Sequence, residues 1–236
     1  DAFTRVIVPG SQGSQSGVFD LDSTATVARY RFDPAPASSV GVMFTDRQGG
    51  DYFNRVLTLD TRHRFTPADS VSLTVARSST RYDEAMADAL DQDTAPRSDT
   101  AVYAAYGHSV RSWYANAYYS DFGDDFRADL GFVTQVGFRR WEGAGAYILH
   151  GAQGRAFNRL EFSGNYDQTE EPTGALIERE YEGFVSYGGP SESFVSVGGG
   201  YRDRHFGGAA FPQRFYSASA SARPSATIYA SVSAQC

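Results

Sequence analysis

The sequence has no lysine, one cysteine and no long apolar run. Its 21 basic residues, all arginine, face 28 acidic residues, which gives a net charge of −7. An acidic chain argues against nonspecific nucleic-acid binding, because that binding needs a basic surface. Cys236 is the only cysteine, so an internal disulfide is excluded. No run of about 18 apolar residues occurs, which excludes a transmembrane helix.

Aromatic residues and glycine are plentiful, and both favour strands and tight turns over helices. Aromatics make up 14% of the chain, and there are 24 glycines. The dominant hydrophobic period is two. In the segment 158–167, Leu160 and Phe162 alternate with Arg159 and Glu161, which indicates strands with one apolar and one polar face.

This pattern predicts an all-β fold: an antiparallel up-and-down (meander) β-barrel of the transmembrane outer-membrane type, forming a single β-barrel domain over residues 1–236. The segment 83–90 is expected to form a short helical turn inside a loop. Because the chain begins at Asp1 without a signal-peptide pattern, we expect a piece of a longer precursor. About thirteen strands are predicted, at 20–32, 39–46, 52–65, 70–78, 100–108, 112–120, 130–139, 143–150, 158–167, 175–187, 193–204, 214–222 and 226–234.

The predicted connections alternate, imperfectly, between short and long. Short turns on one rim and long loops on the other are typical of outer-membrane barrels. The short turns are expected at 33–38, 66–69, 109–111 and around Trp141, and the long polar loops at 45–51, 79–99 and 120–129.

The charged strand faces distinguish a membrane barrel from a soluble β protein. A soluble barrel fills its interior with apolar side chains, whereas a membrane barrel can place charges in a wet lumen. Aromatic residues at strand ends also favour the membrane barrel. So do apolar faces rich in Ala and Gly, which would fill a soluble core poorly. A soluble β protein remains the alternative. The residues predicted to face the lumen are Arg29, Arg31, Asp60, Arg62, Arg64, Arg159, Glu161, Glu178, Glu180 and Glu182.

The run DFGDDFRADLGFVTQVGFRR (121–140) combines aromatic surface with negative charge. We interpret it as an exposed loop that feeds into a membrane-crossing strand. Its carboxylates, Asp121, Asp124, Asp125 and Asp129, are weak candidates for calcium binding, since calcium favours several carboxylate oxygens. Their spacing matches no EF-hand, and a solvated acidic loop is the simpler interpretation. No other metal site and no cofactor is expected.

Two segments, 53–80 and 121–140, resemble a bacterial family. The matching elements are an N-x-V-x-x-x-D strand from Asn54, an R-F-T-P-x-D turn from Arg64 and a D-F-R-A-D-L-G-F-V run from Asp125. They are similar to the C-terminal outer-membrane β-barrel domain of unknown function that follows a carbohydrate-binding-module-like (family nine) domain in large bacterial proteins. The resemblance covers roughly residues 1–140 and implies a Gram-negative outer membrane and no catalytic residues.

The chain departs from that family pattern in two ways. The carbohydrate-binding-like domain is missing, and the chain ends in AQC, whereas outer-membrane barrels usually finish on a strand with a terminal aromatic residue. We therefore expect an incomplete barrel whose first and last strands are unpaired edges.

The leading hypothesis is a non-enzymatic outer-membrane β-barrel, either a pore or transport component or a surface anchor. Its main partner is the lipid bilayer, with glycans as a further candidate partner. If it conducts, its net negative charge predicts a weak preference for cations. A second hypothesis is a surface module that binds glycans or a partner through the long loops. A third is a hydrolase that uses lumen carboxylates such as Glu161 with Glu178 or Glu180.

Overall fold

A computed structural model describes residues 3–152 and 156–236 of the chain. Nearly all of its regular structure is strand, as predicted. The elements are β1 (Thr4–Gly10), β2 (Gly13–Phe19), β3 (Thr24–Ala35), β4 (Ser38–Gly49), β5 (Tyr52–Arg64), β6 (Asp69–Arg81), α1 (Glu84–Leu90), β7 (Arg97–Ser109), β8 (Trp113–Phe122), β9 (Phe138–His150), β10 (Arg159–Glu170), β11 (Leu176–Gly188), β12 (Phe194–Phe206), β13 (Ala209–Ser225) and β14 (Ile228–Gln235).

Twelve of the strands, β3 to β14, form one sheet in which each strand neighbours the next in sequence. This confirms the predicted all-β antiparallel meander. Strands β3 and β14 are the two edges of the sheet, so no pairing closes it within the described ranges. The expectation of unpaired first and last strands is therefore correct for this sheet, and barrel closure stays a prediction.

The contacts group the chain into two compact units, which are described separately below. The first unit comprises 1–105, 119–140 and 170–175; the second comprises 106–118, 141–169 and 176–236. The first unit contains the β1–β2 hairpin, strands β3 to β6 and helix α1. The second contains strands β11 to β14.

Helix α1 is the predicted helical turn, and it extends to two turns. The side chain of Asp83 caps it by accepting a hydrogen bond from the backbone N–H of Met86 at 2.8 Å. It ends at Asp91, which adopts a left-handed conformation. Its buried residues, Met86, Ala87 and Leu90, pack with Val6 and Val8 of the hairpin and with Tyr52 and Tyr82. No helix in the described part of the chain is long and apolar enough to cross a membrane.

Several predicted boundaries are wrong, because strands continue through polar segments. The long loop expected at 45–51 is a tight turn, since β4 continues to Gly49 and β5 begins at Tyr52. Gly50 has a φ of 57°, a conformation that glycine adopts without strain. The turn expected around Trp141 is absent because β9 runs unbroken through that residue.

The strand predicted at 130–139 is also wrong. Apart from the start of β9 at Phe138, this segment is irregular, with one isolated bridge between Gln135 and Gly10. Val133 and Val136 gain burial by packing on another part of the first unit, so the alternation of apolar residues here did not indicate a strand. The β1–β2 hairpin was missed because β2, GSQSGVF, has little apolar alternation.

Candidate functional site: a charged face and an apolar cavity

The predicted lumen residues of the first unit share one face of strands β3 to β5, called here the charged face. Arg31 lies opposite Gly41, which lies opposite Asp60. Because Gly41 has no side chain, Arg29 reaches across β4 and donates to Asp60 at 3.0 Å. A Cβ on Gly41 would lie 2.6 Å from an oxygen of Asp60. The glycine therefore makes room for this ion pair.

The charged face of the first unit carries more positive than negative charge. Arg29 pairs with Asp60, and Arg31 pairs with Asp33 at 2.8 Å. Arg62 and Arg64 follow Asp60 on the same face of β5 and make no ion pair with any described residue. Two arginines on this face are therefore free to meet an anion.

The opposite face of the same strands is apolar and exposed, and it is called here the apolar face. Leu59 lies opposite Val42 on β4 and Val75 on β6. More than half of Leu59 is exposed, at 56%. Other exposed members of this face are Tyr30, Phe32, Val40, Leu57, Leu73 and Val75.

The second unit repeats this arrangement on β11 to β13. Glu180 lies opposite Arg202 and Glu178 opposite Arg204, and both pairs are ionic, the second at 3.7 Å. Glu182 shares their face of β11. The two predicted lumen residues of β10 also form an ion pair, since Arg159 donates to Glu161. The exposed apolar residues on the other face of β11 to β14 include Tyr181, Val185, Val197, Tyr216 and Val232.

These ion pairs bear on the hydrolase hypothesis. Glu161, Glu178 and Glu180 are each held by a different arginine. An arginine partner stabilises the ionised carboxylate, whereas a general acid needs a raised pKa. The local geometry is that of structural ion pairs.

Three consecutive glycines in β12 lie under aromatic rings. Phe184 covers Gly198 from β11, and Phe215 covers Gly200 from β13. A Cβ on Gly200 would lie 2.5 Å from the Phe215 ring and from the carbonyl oxygen of Tyr181. Glycine at these positions therefore allows the rings and backbone of the neighbouring strands to approach closely.

The connection between β8 and β9, residues 123–137, folds onto the charged face of the first unit. Phe126 is 3% exposed and packs with Val136, Val56, Ala76 and Ala101. The expectation of an exposed loop is therefore wrong for Phe126 and Val136, which are buried against short side chains of the sheet. The segment does lead into a strand, β9, and a membrane crossing by that strand stays a prediction.

A buried polar cluster holds this 123–137 loop in place. The amide of Asn54 donates to the hydroxyl of Thr80 at 2.7 Å and to the carbonyl of Arg127 at 3.0 Å. The Asn54 side-chain oxygen accepts from the backbone N–H of Asp129 at 3.0 Å. The hydroxyl of Tyr52 donates to the Asp129 carboxylate at 2.8 Å. All of these groups lie at the end of β5 and β6 farthest from Asp60.

Asp129 is an unusual carboxylate in this cluster. Burial raises its pKa to about 6. The hydrogen bond from Tyr52 and the positive charges of Arg127 and Arg47 oppose that effect only in part. Asp129 therefore titrates close to neutral pH.

The four predicted loop carboxylates do not converge on one point. Asp121 pairs with Arg139 at 3.2 Å, Asp125 pairs with Arg97 at 3.4 Å, and Asp129 is bound by Tyr52. Asp124 lies against Gly137, and its backbone carbonyl accepts from Arg127. Within residues 3–152 and 156–236, no group of three or more His, Cys, Asp or Glu side chains could hold a metal ion.

An apolar cavity of about 240 Å³ lies between the 123–137 loop and the charged face. The loop contributes Phe126, Leu130 and Val133, and the sheet contributes Met43, Val56 and Ala76. This cavity was not predicted from the sequence. The signal was present in the apolar residues of the run 126–133, but 126–129 had been assigned to a polar loop and 130–133 to a strand.

No protein-family model matches the chain, and comparison with curated proteins and with solved structures found no match.

Proposed function

We propose that the chain is a non-enzymatic β-barrel domain of a bacterial outer membrane. The observation that carries the proposal is the inverted polarity of the sheet in each unit. Leu59 and Val75 are exposed, whereas Asn54 and Ser78 on the opposite face are buried. A soluble sheet buries its apolar face, and a membrane barrel exposes it to lipid.

The size of the apolar face supports the same proposal. Exposed apolar residues recur on this face of β3, β4, β5 and β6, and on the corresponding face of β11 to β13. Soluble monomers rarely expose large contiguous apolar patches, because such surface has a high cost in water. Acyl chains would cover it without that cost.

The buried loop favours a closed anchor over an open pore in this proposal. In the first unit, the 123–137 loop packs on Val56 and Ala76, and the hairpin and α1 pack on Tyr52 of β5 and on Tyr82, just after β6. A lumen lined by exposed charge would conduct, whereas a lumen partly filled by packed segments would not. We therefore propose a surface anchor whose lumen is partly filled.

Membrane extraction and gel mobility test the proposal. We expect the protein to require detergent for extraction and to migrate differently on gels before and after heating. A protein that stays monomeric in buffer without detergent would contradict it. Planar-bilayer recordings then separate the two kinds of barrel, since a closed anchor is silent and a pore conducts, with the weak cation preference predicted above.

The glycan-binding and hydrolase hypotheses stay predictions. Both long connections bury their central residues, Leu90 in one and Phe126 in the other, so less of each loop is free to bind a partner. Glycan-array screening of the protein with and without residues 83–90 would test the first. The hydrolase hypothesis is tested by replacing Glu161 and Glu178 by glutamine. If the variant keeps any hydrolase activity detected in the original protein, the hypothesis is wrong.

A further inference from the structure

The apolar cavity of the first unit is unexpected on a face that carries charge. Its walls are almost entirely apolar, although two of its lining residues, Met43 and Thr74, lie opposite Arg29 and Asp60 on neighbouring strands. A lumen that only conducts or only fills space has no need of such a cavity. The loop residue Leu130 remains 38% exposed at the cavity wall. The cavity is therefore partly open to its surroundings on the side of Leu130.

The cavity has the volume of a small ligand. A dry cavity of about 150 Å³ takes a benzene molecule, and drug-sized ligands occupy about 300–1,000 Å³. The observed volume of about 240 Å³ lies between these sizes. Its width is set by the short side chains Ala76 and Ala101, which face Phe126 of the loop.

Positive charge lies next to the cavity along β5. Thr58 and Thr74 line the cavity, and Thr74 lies directly opposite Asp60. Arg62 follows Asp60 by two residues, a distance of about 7 Å along a strand. Because Arg29 neutralises Asp60, the charge that remains beside the cavity is that of Arg62, which has no ionic partner in the described chain.

We propose that this cavity binds the hydrocarbon chain of a small amphiphilic anion, such as a medium-chain fatty acid, and that Arg62 pairs with its head group. The apolar walls bind the chain through burial, and the arginine selects a carboxylate over a neutral head group. The site goes beyond an anchoring role, because an anchor needs neither the cavity nor the arginine.

Photoaffinity labelling of the protein in lipid nanodiscs tests the site. The probe is an octanoate analogue with a photoreactive diazirine at the end of its chain. We expect labelled peptides from 122–133, with competition by octanoate and roughly tenfold weaker competition by octanol, which cannot form the charged hydrogen bond with Arg62. Labelling confined to exposed apolar-face residues such as Leu59 would overturn the proposal.

Variants separate the site from nonspecific partition. Ala76→Leu fills the cavity and is expected to remove the label from 122–133, whereas Leu130→Ala leaves the cavity open and retains it. Arg62→Gln should weaken competition by octanoate roughly tenfold. Arg5→Gln, which removes another exposed arginine outside the charged face, should leave it unchanged. Equal labelling of the Ala76→Leu variant and the original protein would contradict the proposal.

The readout does not depend on the anchoring proposal. If the protein proves soluble, the same labelling can be done in buffer, and the labelled peptide still identifies the site. If the protein is a membrane barrel without this site, the label appears only on lipid-facing strands. The two proposals therefore fail in distinguishable ways.

Discussion

Asp129 links the 123–137 loop to the sheet through a carboxylate whose charged form is disfavoured by burial. Its pKa is raised from 3.8 to about 6, chiefly by burial. Between these two pH values, the folded protein binds a proton that the unfolded chain has released. The contribution of Asp129 to stability is therefore greatest below about pH 4 and falls as the pH rises through 6.

Replacing Asp129 by asparagine should remove this pH dependence. The asparagine oxygen can still accept from Tyr52, but it carries no charge to desolvate. The difference in pKa corresponds to roughly 3 kcal/mol at most, so the variant should gain stability over the original protein as pH rises from 4 to 7. Free energies of unfolding measured across that interval check this. If the free energy of unfolding changes with pH in the same way for both proteins, the assigned role of Asp129 is contradicted. Asp125→Asn, at an exposed carboxylate, is the control.

Asn54 is the second residue on which the loop depends. It satisfies the carbonyl of Arg127 and the N–H of Asp129, both contributed by the loop. Asn54→Ala leaves these groups without their partner, which should cost roughly 2–4 kcal/mol. Hydrogen exchange at the Asp129 amide should accelerate strongly. The control Asn116→Ala, in β8, should change neither the free energy of unfolding nor exchange at Asp129. Unchanged protection of the Asp129 amide in the Asn54→Ala variant would show that Asn54 does not hold the loop.

Strands with strict alternation were the elements that the sequence predicted best. The segments 158–167 and 175–187 correspond closely to β10 (Arg159–Glu170) and β11 (Leu176–Gly188). The ion pairs of Arg159 and Arg29 follow from the same alternation. At 130–139 the alternation did not predict the structure, because Val133 and Val136 pack onto the sheet from a loop. Whether such a segment forms a strand or packs as a loop depends on tertiary contacts. For the same reason, the cavity and the Asn54 cluster could not be predicted from residue spacing.

Glycine in β12 acts at the scale of the strand pair. A Cβ at Gly200 meets both the Phe215 ring and the backbone of β11, so Gly200→Ala must shift a neighbouring strand. We expect a loss of about 1–3 kcal/mol in the free energy of unfolding. Gly143, in β9, has no atom within 4 Å of its would-be Cβ, so Gly143→Ala should be neutral or slightly stabilising. Equal effects in the two variants would show that ring packing is unimportant.

In each unit, one face of the strands is mainly apolar and exposed, and the other carries most of the ion pairs. Substitutions on the two faces test whether lipid or water covers the apolar one. Phe162 and Glu161 are neighbours on β10, but Phe162 is 45% exposed whereas the Glu161 carboxylate is paired with Arg159. In water, an exposed phenylalanine can be replaced by a charged residue at little cost. In a bilayer, the same replacement places a charge among acyl chains.

A pair of adjacent substitutions at nearly the same depth makes this difference measurable. Phe162→Arg should reduce assembly into membranes by an amount equivalent to about 2–4 kcal/mol if this position is near the bilayer midplane. Ser163→Arg, one residue further and on the charged face beside Glu161, should assemble nearly as well as the original protein. The fraction with heat-modifiable mobility after folding into lipid vesicles measures both. Because only the face differs between the two sites, a larger defect for Ser163→Arg would mean that water, not lipid, covers the apolar face.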